Sequence, residues 1–215
     1  MRLVMPRLYV ILDAGMLREP AGETSKKLIE AGVRLLQYRD KRASARELFV
    51  NAQAISKMAR ASNCAFFVND RPDVAYLAGA DGVHVGQDDL PVEQARHVIG
   101  RERWVGVSTH NLEQFQQAAA SSADYIAVGP IFPTGSKANP DPVVGVDFVR
   151  RVRALTARPI VAIGGITLDR APEVIAAGAD SVAVISDILR ASDPAAQGRA
   201  YIQRLEAVKS AAPQD

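Results

Sequence analysis

Short apolar runs recur along the whole chain, and each is followed by a polar turn and then by a stretch with Ala and Leu at helical spacing. A short run rich in Val, Ile, Leu and Phe between turn signals predicts a strand, so the alternation predicts repeated βα units. Eight candidate strands result, at residues 8–12, 35–38, 65–68, 82–85, 104–107, 125–128, 159–163 and 181–185.

Helical spacing lies between these runs, with suitable residue types at its boundaries. Ser44, Pro91, Asn111 and Asp147 are types that cap or open a helix. Glycine follows alanine at three predicted ends, where a left-handed residue commonly stops a helix. The candidate helices are residues 24–31, 45–60, 73–77, 92–99, 112–121, 146–155, 171–177 and a segment around 200–209.

Eight βα units predict a closed (β/α)8 TIM barrel of the α/β class. A chain of 215 residues that is 48% apolar can bury one large core, so residues 1–215 are expected to form a single domain. A doubly wound open sheet is the alternative. It usually carries Gly-x-Gly-x-x-Gly after its first strand, whereas this turn reads Asp13-Ala14-Gly15-Met16, so the barrel ranks first.

The composition narrows the classes of partner. The net charge is +2 and the basic residues are scattered, which argues against nucleic acid and against a membrane surface. Cys64 is the only cysteine, which fits a reducing, cytoplasmic environment. His84, His97 and His110 lack paired ligand spacing, so a zinc site is not expected. A homo-oligomer is compatible with these features.

In a barrel of this kind the chemistry lies where the strands end, at the C-terminal face. Unusual polar residues concentrate at these ends in the sequence. They are Gln37-Tyr38-Arg39-Asp40-Lys41, Asn69-Asp70, His84 with Gln87-Asp88-Asp89, Ser108-Thr109-His110, the loop at residues 129–137, Gly164-Gly165 and Ile185-Ser186.

The second strand predicts a site for a polyphosphate. Gln37, Arg39 and Lys41 alternate, so they share one face if the strand continues that far. Two cations and an amide on one face suit phosphate oxygens. The structural alternative is a set of salt bridges with Asp40 and Glu47.

Two aspartates at neighbouring strand ends predict a magnesium site. Asp70 and Asp89 can reach one hard cation, and Mg²⁺ commonly takes one or two carboxylates together with substrate phosphates. Asp88 is the rival to Asp89. Either aspartate alone would more often cap a helix.

The later strand ends predict a second anion site. The loop at 129–137 combines Gly and Pro with Thr134, Ser136 and Lys137, which suits anion binding, although it also suits an ordinary surface loop. Gly164-Gly165 and Ile185-Ser186 follow strands seven and eight, where exposed backbone amides form the customary phosphate pocket of this fold. For His84 a satisfied core or supporting role is favoured, whereas His110 and His97 are expected at the site edge and the surface. Two anion sites predict that the protein joins or rearranges two phosphorylated small molecules.

The order of these motifs resembles the thiamine phosphate synthase family over almost the whole chain. The similar motifs are Gln37-Tyr38-Arg39-Asp40-Lys41, Val68-Asn69-Asp70, Gly82-Val83-His84-Val85-Gly86-Gln87-Asp88-Asp89-Leu90, Gly106-Val107-Ser108-Thr109-His110, Gly129-Pro130-Ile131-Phe132-Pro133-Thr134-Gly135-Ser136-Lys137, Ile163-Gly164-Gly165-Ile166 and Ile185-Ser186.

The resemblance implies a transferase of thiamine biosynthesis. Its substrates would be 4-amino-2-methyl-5-(diphosphooxymethyl)pyrimidine and 4-methyl-5-(2-phosphoethyl)thiazole, with a carboxylated thiazole phosphate as an alternative. Pyrophosphate would leave with Mg²⁺ bound, and the thiazole nitrogen would attack the pyrimidine methylene cation to give thiamine phosphate.

The resemblance also assigns roles to individual residues. The pyrimidine diphosphate would be held by Gln37, Tyr38, Arg39, Asp40, Lys41, Asn69, Ser108 and Lys137, of which Arg39, Lys41, Ser108 and Lys137 are the catalytic set. The thiazole phosphate would be held by Thr134, Gly135, Ser136, Gly165, Ile185 and Ser186, and Mg²⁺ by Asp70 and Asp89.

Two other functions remain open on the sequence. The related thiazole tautomerase shares the barrel and uses a histidine near the fifth strand, where this chain has His110. A tautomerase has no reason to assemble a diphosphate and metal set, which argues against it. A non-catalytic sensor of a phosphorylated ligand would hardly need two separate anion sites and a metal pair.

Overall fold

The computed structural model describes residues 5–135 and 141–208. Its eight parallel strands close into a barrel in sequence order, which confirms the (β/α)8 prediction and excludes the open sheet. The strands are β1 Leu8–Asp13, β2 Leu35–Arg39, β3 Ala65–Asn69, β4 Gly82–Val85, β5 Trp104–Thr109, β6 Tyr125–Val128, β7 Ile160–Ile163 and β8 Ser181–Val184.

Helices alternate with the strands around the barrel. They are α1 Ala21–Glu30, α2 Ala45–Ala61, α3 Pro72–Ala78, α4 Val92–Ile99, α5 Leu112–Ala120, α6 Val146–Arg153, α7 Ala171–Ala176, α8 Ser186–Leu189 and α9 Pro194–Glu206. Helix α8 was not predicted from the sequence, and the predicted start of α9 was too late. Asp193 caps α9 by accepting a hydrogen bond from the Ala196 amide at 3.0 Å. None of the helices described here is both long and apolar enough to cross a membrane.

Local sequence explains where several helices begin. Ser44 forms a capping box with Glu47, and the Asn111 side chain accepts from the Gln114 amide. Asp147 is a wrong prediction as a helix start, because α6 has Gly145 at its N-cap and Asp147 lies in the first turn. At the other end of a helix, Gly79 adopts φ +71° after α3, the left-handed stop that its residue type predicts.

Aromatic side chains fill the barrel interior, and two glycines make room for them. A Cβ on Gly82 would lie 2.3 Å from the Phe67 ring, and one on Gly106 would lie 2.0 Å from the Tyr125 ring. The inward cluster comprises Tyr9, Ile11, Leu35, Phe67, Tyr125, Ala127, Val161 and Ala183. The larger apolar cluster lies between the strands and the helices, where burial raises the pKa of the Cys64 thiol to about 12.

Strands β1, β2, β3 and β5 extend one or two residues beyond their predicted ends, and the true ends decide which polar residues share a strand face. β3 continues to Asn69 and β5 to Thr109, so Asn69 and Ser108 are strand residues with defined directions. β2 ends at Arg39, so Lys41 lies in the loop that follows rather than on the strand face shared by Gln37 and Arg39. The C-terminal mouth is therefore lined by strand ends and by the loops between them.

Candidate active site

Arg39 reaches the mouth on β2 and is already paired there with a carboxylate. Its Nη1 donates to Oδ2 of Asp13, which lies directly beside it in the β1–β2 register. Asp13 is buried, and its Oδ1 accepts from the Gly15 amide at 3.0 Å. The structural alternative considered from the sequence named Asp40 and Glu47 as salt-bridge partners and did not include Asp13. The signal for Asp13 was its place at the end of the first strand, opposite the end of the second.

Lys41, Asp70 and Asp89 form a connected group at the ends of β2, β3 and β4. The Lys41 Nζ lies 2.7 Å from Asp70 Oδ2, and the Asp70 and Asp89 carboxyls share a hydrogen bond. Asp89 also accepts from the Gly86 amide at 2.8 Å. The structure thus brings together the two aspartates named as magnesium ligands, whereas their rival Asp88 is exposed.

The Asp89 carboxyl lies in an unfavourable environment for its charge. Burial, followed by the hydrogen bond to Asp70, raises the pKa of Asp89, and the nearby Lys41 offsets only part of this. Two carboxylates held this close repel each other when both are ionised. A bound divalent cation would relieve that repulsion, and Mg²⁺ needs no more than one or two protein carboxylates, so the pair fits this metal.

This raised pKa predicts that Asp89→Asn stabilises the metal-free protein at neutral pH. The native carboxyl holds its proton more tightly than the unfolded chain does, so stability falls as the pH rises from about 3.9, the ordinary Asp value. Thermal unfolding without metal should therefore show a higher Tm for the variant at pH 7 than for the parent, and a small difference near pH 3. Asp88→Asn serves as the exposed control. An Asp89→Asn Tm equal to or below the parental value at pH 7 contradicts the prediction.

The remaining residues of β2 point in different directions. Gln37 points into the barrel, where its Nε2 donates to the Tyr9 hydroxyl at 2.7 Å. Tyr38 points to the opposite side, and its hydroxyl contacts Asp40 at 3.2 Å and Asn51 of α2 at 3.1 Å. Alternation along the strand turns the Tyr38 side chain away from the mouth, and a contact between Tyr38 and the diphosphate stays a prediction.

The Asp40 carboxylate forms hydrogen bonds with backbone amides of its own turn. Its Oδ1 accepts from the backbone amides of Arg42 and Ala43, each at 3.0 Å. Asp40 thus closes the turn that carries Lys41, and its contact with substrate stays a prediction.

His84 supports Ser108 at the centre of the mouth. His84 is buried, with Nδ1 2.8 Å from the Tyr125 hydroxyl and Nε2 2.8 Å from Ser108 Oγ. This confirms the expected supporting role for His84. Asn69 ends β3 beside His84 in the strand register, so it lies on the same inward side.

A cavity opens on the other half of the mouth, at the ends of β5 to β8. It contains four of the residues predicted for the thiazole phosphate, namely Thr134, Gly165, Ile185 and Ser186. Gly135 is exposed and does not line it, while Ser136 and Lys137 lie outside the described residues. The rest of the wall is Ser108, His110, Gly129, Pro130, Asp141, Ile163, Gly164, Ile166, Ala183 and Val184. Most of these are apolar, so the cavity suits a ring with one polar end.

The loop after β6 lies directly on the loop after β7. The Ile131 amide donates to the Ile163 carbonyl at 2.9 Å, and the Phe132 amide to the Gly164 carbonyl at 3.0 Å. Gly164 and Gly165 have φ values of +101° and +64°. A Cβ on Gly164 would lie 2.6 Å from Pro130, so this close approach requires glycine. The two loops that carry Thr134 and Gly165 are thereby fixed against each other.

His110 joins both sides of the cavity edge. Its Nδ1 lies 2.6 Å from the Gly129 carbonyl oxygen, and its Nε2 lies 3.4 Å from Asp141 Oδ2. This agrees with the expectation of a site-edge residue, and it gives His110 a role in holding the loop after β6. His97 is exposed on α4, as expected for a surface residue.

The chain is similar to known proteins in both sequence and fold. The profile of the thiamine monophosphate synthase family matches residues 8–188. A thiamine-phosphate synthase of Koribacter versatilis is 52% identical over 208 residues, covering 94% of this chain and 97% of the relative. One of Chloroflexus aurantiacus is 45% identical over 197 residues, covering 90% and 89% of the two chains.

A solved structure agrees with the sequence relatives. Thiamine phosphate pyrophosphorylase from Pyrococcus furiosus superposes with a TM-score of 0.86 at 35% identity, covering 94% of this chain and 96% of that one. The family profile matches the chain from the start of β1 into α8. The match therefore includes the strand ends that carry both halves of the mouth. The chain belongs to the thiamine monophosphate synthase family.

Proposed function

We propose that this protein is a transferase that makes thiamine phosphate from a pyrimidine diphosphate and a thiazole phosphate. The observation that carries the proposal is the division of one barrel mouth into two unlike halves. One half contains Arg39, Lys41 and the paired Asp70 and Asp89. The other is the largely apolar cavity that ends at Gly165 and Ser186, with Ser108 between the halves.

The first half suits a diphosphate that becomes a leaving group. Mg²⁺ would be held by Asp70 and Asp89 and would supply charge neutralisation at the pyrophosphate oxygens. Arg39 and Lys41 add fixed positive charge at the same place, which favours breaking the bond between the methylene carbon and the diphosphate oxygen. Lys137 is assigned to the same leaving group on its sequence motif, and it lies outside the described residues.

The second half suits the nucleophile. Thr134, Gly165 and Ser186 would bind the phosphate end of the thiazole through hydroxyl and backbone groups. The wall made by Ile163, Ile166 and Ala183 excludes water from the carbon that is attacked, which favours attack by the thiazole nitrogen. The ring nitrogen uses a lone pair and has no proton to lose, so the reaction needs no general base.

The relatives favour this reaction over isomerisation of the thiazole. Those reported above are named as thiamine-phosphate synthases. In this chain His110 lines the cavity, but its two ring nitrogens contact the Gly129 carbonyl and Asp141.

The direct test is turnover. Purified protein incubated with the pyrimidine diphosphate, the thiazole phosphate and Mg²⁺ should yield thiamine phosphate and pyrophosphate in equal amounts. Omitting any one component should stop product formation. If instead the thiazole tautomers interconvert and no thiamine phosphate forms, the proposal is overturned in favour of the isomerase.

A further inference from the structure

A chain of hydrogen bonds crosses the interior of the barrel. Gln37 Nε2 lies 2.7 Å from the Tyr9 hydroxyl, and that hydroxyl lies 3.2 Å from the Tyr125 hydroxyl. Tyr125 continues to His84 Nδ1 at 2.8 Å, and His84 Nε2 continues to Ser108 Oγ at 2.8 Å. These five residues, called the Gln37–Ser108 chain below, connect β1, β2, β4, β5 and β6.

The surrounding structure is built to hold this chain. Gly106 leaves the space that the Tyr125 ring occupies, and His84 stacks on that ring with centroids 5.5 Å apart and planes 24° apart. Tyr9 and Tyr125 are fully buried. Burial raises the pKa of both tyrosines, so each remains a phenol with a single proton to donate.

One proton per hydroxyl gives the chain a direction. The Gln37 amide donates to Tyr9, so the Tyr9 proton is available for Tyr125 and the Tyr125 proton for His84 Nδ1. In the opposite order Tyr9 would accept twice, and its own buried proton would lack an acceptor among these partners, which native interiors avoid. Nδ1 of His84 is therefore the acceptor, and its proton is on Nε2.

We propose that the Gln37–Ser108 chain locks His84 in the neutral Nε2–H tautomer and thereby makes Ser108 a hydrogen-bond donor towards the ligand. Nε2–H donates to Ser108 Oγ, and Ser108 lines the cavity. The Ser108 proton then points to an acceptor on the ligand. Tyr9, Tyr125 and His84 are positioning residues, since they act through Ser108 without touching substrate.

This proton order selects a class of ligand. A ring nitrogen with a free lone pair satisfies Ser108, whereas a ring N–H or a C–H at the same position leaves the hydroxyl proton unpaired. Resting on the proposed function, we assign that acceptor to the pyrimidine diphosphate, whose ring nitrogens carry free lone pairs.

The proton order can be measured without turnover. Long-range ¹H–¹⁵N NMR of the ligand-free, imidazole-labelled full chain should show His84 with a protonated Nε2 and an unprotonated Nδ1. Tyr125→Phe removes the hydroxyl that faces Nδ1, so its spectrum should shift towards a mixture of tautomers. A parent spectrum with the proton on Nδ1, or with both nitrogens protonated, overturns the proposal whether or not the protein makes thiamine phosphate.

Kinetics then tests the consequence for substrate. Tyr125→Phe should raise the KM for the pyrimidine diphosphate about fivefold or more, on the scale of one hydrogen bond, with the thiazole phosphate KM unchanged. Tyr201→Phe is the matched control, because it also removes a buried hydroxyl, one that contacts Asp187 at 2.7 Å on the outer layer. An equal rise in the pyrimidine KM for both variants overturns the proposal.

Two substitutions of His84 separate positioning from packing. In His84→Gln the amide nitrogen extends to the place of Nε2 and can still donate to Ser108, whereas in His84→Asn the shorter amide falls near Nδ1. The glutamine variant should therefore retain several times more pyrimidine affinity than the asparagine variant at similar Tm. Equal affinities, or a better asparagine variant, overturn the donor role. If Tyr125→Phe fails to fold, the two His84 variants and the parent spectrum still decide whether His84 donates to Ser108.

Discussion

Asp70→Asn is expected to lower kcat by about 10²–10³-fold, the loss found when one group that stabilises developing charge is removed. The substitution removes the carboxylate that pairs with Lys41 and Asp89, and with it one of the two proposed Mg²⁺ ligands. Activity should then require more Mg²⁺ than in the parent. Steady-state rates measured across a Mg²⁺ titration check both effects.

The fold should survive this change. Asp70 adopts φ +62°, a left-handed conformation that asparagine tolerates as well as aspartate does. The backbone bond from the Asp70 amide to the His84 carbonyl, at 2.8 Å, does not involve the side chain. Asp70→Ala should lose turnover too, although its methyl group suits that backbone less well.

Asp73→Asn provides the matched control for charge. Asp73 lies three residues away on α3 and forms an exposed ion pair with Arg71 at 2.6 Å. Exposed ion pairs contribute little to stability, so the Asp73→Asn variant should match the parent in activity and in Mg²⁺ dependence. Near-parental kcat and Mg²⁺ dependence in Asp70→Asn would show that Asp70 is not a metal ligand in the reaction.

The barrel could be predicted because its information is local and repeated. Each βα unit carries its own apolar run, and several helices carry a cap such as Ser44 or Asn111 that is readable within four residues. The short helix α8 was not predicted, because four residues give no periodicity. Asp147 was wrongly predicted as a helix start because an acidic residue suits both the N-cap and the first helical turn.

The sequence predicts where the site residues lie, but not which of them form ion pairs with each other. Strand ends converge at one face whatever the side chains are, which is why Asp70 and Asp89 meet as expected. The partner of Arg39 depends on the register between β1 and β2, so Asp13 was not found. The motif around Tyr38 does not show which way each side chain faces, because alternate strand residues face opposite sides of the barrel.

Gly165→Ala is expected to raise the KM for the thiazole phosphate by about 10–100-fold, since displacing a binding group by about 1 Å can have effects of this size. Gly165 has φ +64°, and its added Cβ would lie 2.4 Å from the Pro133 carbonyl oxygen and 2.9 Å from Phe132. Both contacts involve the loop after β6, close to its backbone, so that loop must move. Thr134 follows Pro133 directly and would move with it.

Gly79→Ala separates this displacement from backbone strain. Gly79 has a similar φ of +71°, but its added Cβ would make no close contact, the nearest atom being Arg60 Nη2 at 3.4 Å. Both variants should lose about 1–2 kcal/mol of unfolding free energy from the left-handed conformation. Only Gly165→Ala should also change the KM for the thiazole phosphate, with a smaller change for the pyrimidine diphosphate. If the two variants bind thiazole phosphate equally well, the contact between the loops after β6 and β7 does not shape the thiazole half of the mouth.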